Sequence, residues 1–328
     1  MIDFNLRENE IFLARDGNYI GTLRVYAIRP GNDGYYKPVK CVVKSARSYE
    51  KKISITWEAP NSNVAAYIEL KPTLYGYKGK ITSWGKGAAI VRVVLELPEG
   101  EAEFPFVPAF MYGSNKGGYS PWATYPQLNE GHNGGYHKPW MADEWLMRTD
   151  RSSHGITAFI GRNLAYAIGG RDVCRYEDGT VAEKTGIGIS STSLRRLSFS
   201  LGFMNLPYTY STIAGRNYSG RPDGYIQLDR GKVSGGIFLY IKEHNGTFDA
   251  VRDILRESYS IMHDEVRREG GVDDAIISIS QALVDYSYCP EASNFYVTLP
   301  YRNDDTDRDG SSAFNTSWAG GLRVAYPL

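Results

Sequence analysis

The hydrophobic period of this chain changes once, close to Asn245-Gly246. Before that point, short runs of β-branched and aromatic residues alternate with turn residues, which is the pattern of antiparallel strands in a sandwich. After it, apolar residues recur at helical spacing from Phe248 to Val266 and again from Ile276 to Tyr286. Strands first and helices second indicate two units rather than an alternating α/β fold. We therefore predict a mainly β protein, with a large antiparallel β-sandwich (a supersandwich) over residues 1–245 and a helical segment over residues 246–328.

The predicted strands are short and spread along the whole first part. The clearest runs are 19–28, 40–45, 52–57, 65–70, 90–97, 156–160, 164–169, 198–203, 225–228 and 236–244. In run 90–97 the alternation is imperfect, as expected for a strand that is covered on both faces. The 25 Tyr and 35 Gly residues agree with many strands and tight turns.

Charge and leader patterns limit the kinds of partner. Lys+Arg and Asp+Glu balance at 37 each, so the basic footprint of a nucleic-acid-binding protein is missing and a neutral ligand fits better. The first residues have no secretory pattern, and the sequence has no 18-residue apolar run. We expect a cytoplasmic protein without nucleic-acid or membrane partners. Cys41, Cys174 and Cys289 lack the spacing of zinc sites or disulfide frameworks, which predicts buried thiols.

The segment from residue 112 to 151 points most clearly to a function. It contains three of the six tryptophans, together with carboxylates and arginines, in a Gly-rich stretch. Flat aromatic faces beside such polar groups are suited to stacking on sugar rings and binding their hydroxyls. The predicted sugar-binding residues are Trp122, Tyr125, Trp140, Asp143, Glu144 and Arg148.

Two alternatives within this segment stay open. Aromatic residues dominate cores, and Trp145 opens a predicted strand, so we expect Trp145 in the core. Arg148, Asp150 and Arg151 also fit an internal ion-pair network that holds the loop.

No catalytic residue or cofactor is predicted. Asp143 and Glu144 are adjacent, so on an extended chain they point to opposite faces and cannot form the paired carboxylates of a glycosidase. His132, His137 and His154 lack a metal-binding pattern, and loop hydrogen bonding is expected for them. The acidic motif of Asp305, Asp307 and Asp309 matches the start of a calcium loop, but Thr316 stands where its bidentate carboxylate is needed. A solvated linker is the preferred interpretation, and no metal is predicted.

Three short motifs carry a resemblance to a known class. FVPAFMYGSN at 106–115, WLMRTDRSSH at 145–154 and AFNTSWAGG at 313–321 resemble bimodular bacterial glycoside hydrolases. In those enzymes a galactose-mutarotase-like β-sandwich precedes, through linker helices, an (α/α)6 toroid. The resemblance implies that the catalytic acids come from the toroid, while a sandwich loop shapes the sugar pocket. It also implies that this chain continues beyond Leu328 into its partner, the C-terminal helical domain.

Three hypotheses follow. The first is the non-catalytic N-terminal sandwich of a glycoside hydrolase, incomplete as an enzyme, that contributes a loop to carbohydrate binding. The second is a freestanding carbohydrate-binding module, which leaves the helices without a task. The third is a complete small enzyme that uses Asp143 or Glu144 with a second carboxylate. The helices favour the first hypothesis.

Overall fold

The computed structural model describes residues 2–30, 37–49, 52–113, 127–128, 141–206, 223–262, 271–289 and 294–295. The chain divides into two compact units, Met1–His263 and Asp264–Leu328. Each unit is described by itself below. Antiparallel strands make up most of the first unit, as the sequence predicts.

The described strands of the first unit follow one another with short turns. Their bounds are β1 Ile2–Arg7, β2 Glu10–Arg15, β3 Asn18–Arg29, β4 Lys37–Lys40, β5 Val42–Tyr49, β6 Lys52–Ala59, β7 Val64–Pro72, β8 Gly76–Gly85, β9 Ala88–Glu96, β10 Phe104–Val107, β11 Met111–Tyr112, β12 Gln127–Leu128, β13 Met141–Ala142, β14 Glu144–Arg148, β15 Ile156–Ile160, β16 Leu164–Gly170, β17 Val173–Tyr176, β18 Val181–Ser190, β19 Arg196–Leu201, β20 Ile226–Gln227 and β21 Val233–Glu243.

Two layers of strands form the sandwich. The first layer, sheet A, has the order β1, β2, β3, β9, β19, β18, β14. Strand β4 pairs with the end of β3, on the same edge at which β2 pairs with its beginning. The second layer, sheet B, has the order β5, β6, β7, β8, β21, β16, β15, β10, β11. Strand β18 begins beside β17, which pairs with β21 of sheet B, and continues into sheet A, so the two layers are joined through their strand pairing.

The core lies between the inner faces of the two sheets. Alternate residues of β9 show the pattern, because Val91, Val93 and Leu95 are fully buried while Arg92 and Glu96 are partly exposed on the outer face of sheet A. Ile90 and Val94 are also buried on that outer face, which confirms a central strand that is largely covered on both sides. Trp145 is fully buried and packs edge to face on Phe110, so its predicted place in the core is confirmed.

The free thiols behave as predicted where they are described. Cys41 and Cys174 are both buried and unpaired with another cysteine. Burial raises the pKa of the Cys41 thiol to about 12 and that of Cys174 to about 11, because the thiolate would lose its hydration. Neither sulfur is therefore a reactive thiolate near neutral pH.

One helix packs on the outer face of sheet B. Helix α1, Thr247–Met262, buries Ala250 and Ile254 against Phe238 and other apolar residues of β10, β15, β16 and β21. Lys242 of β21 donates to Asp253 of the helix at 2.7 Å and lies 3.7 Å from the ring centre of Tyr75. The hydrogen bond from Lys242 holds the pKa of Asp253 below its usual range. These contacts fix α1 on the sandwich.

The second unit is described in part. Helix α2, Val272–Ser287, is followed by a short antiparallel pair, β22 Tyr288–Cys289 and β23 Asn294–Phe295. Its start and end agree with the helix predicted from the sequence. Within the described part of the chain, no helix is long and apolar enough to cross a bilayer.

Candidate functional site

Half of the predicted sugar-binding residues lie in the described part of the chain. Asp143, Glu144 and Arg148 are described, whereas Trp122, Tyr125 and Trp140 lie outside the described residues and stay predictions. The same holds for His132, His137 and the acidic motif at 305–309.

Strand β14 is the edge of sheet A, and it positions the three described residues. Trp145 and Met147 point into the core, so Glu144 and Arg148 lie on the outer face. The backbone carbonyl of Asp143 accepts a hydrogen bond of 2.7 Å from the Ser191 amide, which anchors the start of the strand.

Strand registers align the outer-face residues in rows across the sheet. One row runs Glu144, Ser190, Arg196, Glu96; the next runs Leu146, Gly188, Ser198, Val94; the third runs Arg148, Gly186, Ser200, Arg92. Apart from Arg196 of β19, the residues of the two middle strands are glycine and serine, whereas longer side chains stand on β14 and β9. We call this surface, made of the three rows, the polar trough.

The glycines in the trough are required by close contacts. A Cβ at Gly188 would lie 2.3 Å from Cδ2 of Leu146 and 2.5 Å from Oγ of Ser198. A Cβ at Gly186 would lie 2.6 Å from Oγ of Ser200 and 3.1 Å from the Cα of Phe203. Larger residues at either position would collide with neighbours that are themselves packed.

An ion pair crosses the trough diagonally. Arg92 of β9 donates through Nη2 to Oε1 of Glu144 on β14, above the small residues of β18 and β19. Their side chains are 14% and 25% exposed, so the pair is largely removed from water. The Nε–H of Arg92 is buried and has no hydrogen-bond partner in the part of the chain that the structure describes. This donor lies below the surface, so the polar groups that a ligand can reach are those of Glu144 and Arg196.

A second group of charges continues the network toward β2. Arg24 donates to both carboxylate oxygens of Glu10 at 3.0 Å and also to Glu96, while Arg196 contacts Glu96 at 3.3 Å. Lys40 adds a further contact to Glu10. The Arg24 hydrogen bond holds the pKa of Glu10 below its usual range, despite the opposing effect of burial.

Arg148 belongs to a separate ion-pair group. Its Nε lies 3.0 Å from Oδ1 of Asp150, whose other oxygen is 3.7 Å from Nζ of Lys184. The guanidinium also lies 5.8 Å from the ring centre of Phe203. These contacts are those of the internal network that the sequence left open as an alternative for Arg148 and Asp150.

Part of the trough is covered by a neighbouring segment. Leu206 and Leu146 exchange two backbone hydrogen bonds of 2.9 and 3.2 Å. Met204, two residues earlier, packs with Leu146 and Ile90 and covers the middle strands. The cavity left beneath Met204 measures only about 10 Å³, which is at most the room of one water. A sugar would therefore approach from the open side of Glu144 and Arg196.

Sequence reasoning missed Arg92, Glu96 and Arg196. The available signal was the charge at two positions inside the apolar run 90–97, since a charged residue in a central strand needs a partner. In the described part of the chain, no group of three or more His, Cys, Asp or Glu side chains is placed to hold a metal ion.

No protein-family model matches the chain, and no curated protein sequence matches it. Among solved structures, the chain is similar to a protein from Synechocystis, with 10% identity and a TM-score of 0.38 over 72% of this chain and 89% of that protein. It is also similar to a galactose mutarotase-like protein from Lactobacillus casei, with 7% identity and a TM-score of 0.36 over 74% of this chain and 100% of that protein.

A third similar structure is an α-galactosidase from Geobacillus stearothermophilus, with 8% identity and a TM-score of 0.39 over 79% of this chain. The matched region is 38% of that α-galactosidase, so this chain spans well under half of its length. Galactose mutarotase-like proteins and glycoside hydrolases, which the sequence motifs resemble, are thus also among the solved structures that are similar to this chain. Because all three TM-scores are below 0.5, the function proposed below rests on the side chains of this protein.

Proposed function

We propose that this chain is the β-sandwich part of a carbohydrate-active enzyme, a glycoside hydrolase, and that it binds a neutral sugar at the open side of the polar trough. The observation that carries the proposal is the pairing of Arg92 with Glu144, which holds the partly exposed Glu144 carboxylate at the open side of the trough. Arginine and carboxylate side chains supply directional hydrogen bonds of the kind that sugar hydroxyls accept and donate. The tryptophan-rich segment directly precedes Glu144 in the sequence, so Trp122 and Trp140 would supply the stacking faces.

The positions of the carboxylates favour a binding role over a catalytic one. Glu96 lies on the same row as Glu144, and their backbones are three strand spacings, about 14 Å, apart. Glu144 is held by Arg92, and Glu96 is held by Arg24 and Arg196. The two carboxylates are thus held separately by arginines rather than as an opposed pair, which favours a binding role.

The partner in this proposal is a helical domain that supplies the catalytic acids. Helix α2 supports it, because a helix that exposes several large apolar side chains is suited to packing on another protein surface. The exposed apolar residues of α2 are Val272, Ile276, Ile277, Ile279 and Val284.

Binding by isothermal titration calorimetry tests the proposal. The probes are cellohexaose, maltohexaose and galactohexaose. We expect Glu144→Gln to weaken binding about tenfold or more, because hydrogen bonds to a charged group are worth about 1.5 to 3 kcal/mol. Arg92→Lys keeps the positive charge but loses the planar guanidinium that holds the Glu144 carboxylate, so it should weaken binding as well.

Glu103→Gln is the matched control, since Glu103 forms an exposed pair with Arg162. It should bind as the unchanged protein does. If Glu144→Gln and Arg92→Lys bind every probe with unaltered affinity, the trough is a structural network and the proposal is wrong. If the purified chain hydrolyses aryl glycosides and loses this activity on Glu144→Gln, the complete-enzyme hypothesis replaces it.

A further inference from the structure

Trp84 of β8 is a large aromatic residue on the outer face of sheet B. Its neighbours on β8, Ile81 and Ser83, point into the core, so Trp84 points outward and is only half-buried. The other described tryptophan of this sheet, Trp57, points the opposite way and is 1% exposed. Among the described residues, the indole of Trp84 makes no hydrogen bond or ring contact. The indole is partly buried and keeps part of its surface in contact with water, unlike the core tryptophan Trp57.

Small residues leave space beside the indole. In the cross-strand row, Ala65 separates Trp84 from Glu58, and Ala65 has no side chain long enough to cover the ring. Gly231, at φ 128, closes the other side without a side chain. The result is a cleft of about 630 Å³, lined by Trp84, Glu58, Asn61, Asn63, Lys86 and Lys232 among others. This volume lies in the range of small-molecule sites.

The rim of this Trp84 cleft is held in place by a partly buried arginine. Arg29 donates to the carbonyl of Ser62, in the turn between β6 and β7. It also donates to the carbonyl of Ala88, at the start of β9, at 3.1 Å. Asp229 accepts a hydrogen bond of 2.8 Å from the Gly87 amide, which joins the segment after β20 to the turn between β8 and β9. A rim fixed before binding loses little conformational entropy when a ligand arrives.

Polar groups on the rim suit a neutral, hydroxyl-rich ligand. Asn61 and Asn63 hold left-handed backbone angles, with φ of 59 and 49, in the turn between β6 and β7. Their side-chain amides make no hydrogen bond to another described residue, so each offers both donors and an acceptor.

The charges around the cleft largely cancel. Glu58 pairs with Lys44 at 3.2 Å, and Lys232 pairs with Glu177 at 3.4 Å. A strongly charged ligand would have to compete with these pairs, whereas a neutral one would not.

We propose that the Trp84 cleft is a second carbohydrate-binding site, in which the indole stacks on the ring face of a hexose unit of a neutral oligosaccharide. Asn61 and Asn63 hydrogen-bond the hydroxyls of that unit. The cleft lies on the outer face of sheet B and the polar trough on that of sheet A, so this site is distinct from the one proposed above and does not depend on it.

The test uses the full chain and the hexasaccharide probes cellohexaose, maltohexaose and galactohexaose. Trp84→Ala should weaken binding of at least one probe about tenfold, which is the size expected for a lost aromatic stacking partner. Trp84→Phe keeps a ring and should recover part of the affinity. Both variants should remain folded, and Trp84→Phe should unfold closer than Trp84→Ala to the midpoint of the unchanged protein, because it keeps more of the partly buried ring surface.

Tyr49→Ala is the control, since Tyr49 is an aromatic residue of the same sheet that is 72% exposed. It should leave all affinities unaltered. Wild-type affinity for every probe in Trp84→Ala, or no binding of any probe by the unchanged chain, overturns the proposal.

The two proposed sites can fail separately. If Glu144→Gln abolishes binding and Trp84→Ala does not affect it, the trough is the sugar site and the Trp84 proposal is wrong. If Trp84→Ala weakens binding and Glu144→Gln does not, the Trp84 cleft stands and the trough proposal is wrong.

Discussion

The two outer faces of the sandwich use polar residues in different ways. On sheet A the polar trough is crossed by a largely buried ion pair and partly covered by Met204. On sheet B the Trp84 cleft is open, and its ion pairs are about half exposed. Charges that lose water must be paired, whereas charges in water need not be. The trough is therefore the face where polar substitutions affect stability, and the cleft is the face where they affect little except binding.

Replacing Trp145 in the core and Trp84 on the outer face of sheet B should give the largest difference in stability. Trp145→Ala removes a fully buried side chain of β14 that packs on Phe110, and we expect it to lower the free energy of unfolding by about 3 to 5 kcal/mol. Trp84→Ala should cost less, about 1 to 3 kcal/mol, because part of the indole stays in contact with water in the folded protein. Urea denaturation of both variants measures the difference. Equal losses would mean that Trp84 is a core residue and that its cleft is a packing feature.

The ion pairs give the next comparison. Arg92→Met leaves Glu144 largely buried beside an apolar group, so we expect a loss of about 2 to 3 kcal/mol, somewhat below the cost at a fully buried pair. Lys44→Met breaks the exposed pair with Glu58 and should change stability by less than about 0.5 kcal/mol. Chemical denaturation again measures both.

A double variant checks the reason for this difference. Adding Glu144→Leu to Arg92→Met removes the uncompensated charge and should restore much of the lost stability. If the double variant is no more stable than Arg92→Met alone, the loss comes from packing rather than from the unpaired carboxylate.

Two strand glycines allow a smaller, geometric comparison. Gly188→Ala in the trough forces a methyl group against Leu146 and Ser198, and it should destabilise the protein by about 1 to 3 kcal/mol. Gly236→Ala on the outer face of sheet B meets only ordinary contacts, with Cγ of Arg171 at 3.5 Å. It should be neutral or stabilising by up to about 1 kcal/mol. Thermal unfolding of the two variants tests this, and equal destabilisation would contradict the close packing assigned to the trough.

Acid should weaken the charge network beside the trough through Glu10. Its pKa in the folded protein is lowered by the Arg24 hydrogen bond, so its stabilising contribution is present above the unfolded pKa of about 4.3. That contribution is lost as the pH falls through the folded pKa. The stability difference between the unchanged protein and Glu10→Gln should therefore be larger at about pH 6 than at about pH 3, as measured by urea denaturation. A difference that does not vary with pH would show that the Glu10–Arg24 pair does not stabilise the fold.

The sequence predicted the strands whose pattern is local. Run 90–97 and run 236–244 have enough β-branched and aromatic residues to be recognised, and the change to helical period at Thr247 was visible in the same way. The sequence did not predict β8 or β18, because both contain several glycines that weaken a strand pattern. The structure gives the reason for one of them, since a Cβ at Gly79 would lie 1.8 Å from the carbonyl oxygen of Glu69 on the adjacent strand. Close approach between strands is a tertiary fact that a single run of residues does not reveal.

The candidate site was predicted only in part for the same reason. Glu144 and Arg148 were recognised from the composition of their segment. Arg92 was not, because it is 52 residues away from Glu144 and meets it only through the register of β14, β18, β19 and β9. The pairing of Arg148 with Asp150 was within reach of the sequence, since the two residues are close neighbours in the chain.

A crystal structure of the chain soaked with the hexasaccharide that binds most tightly tests the central claim directly. The account predicts a sugar oxygen within hydrogen-bond distance of the Glu144 carboxylate, with a sugar ring against Trp122 or Trp140. A structure in which a sugar is bound elsewhere on the chain and none lies at the trough would contradict it.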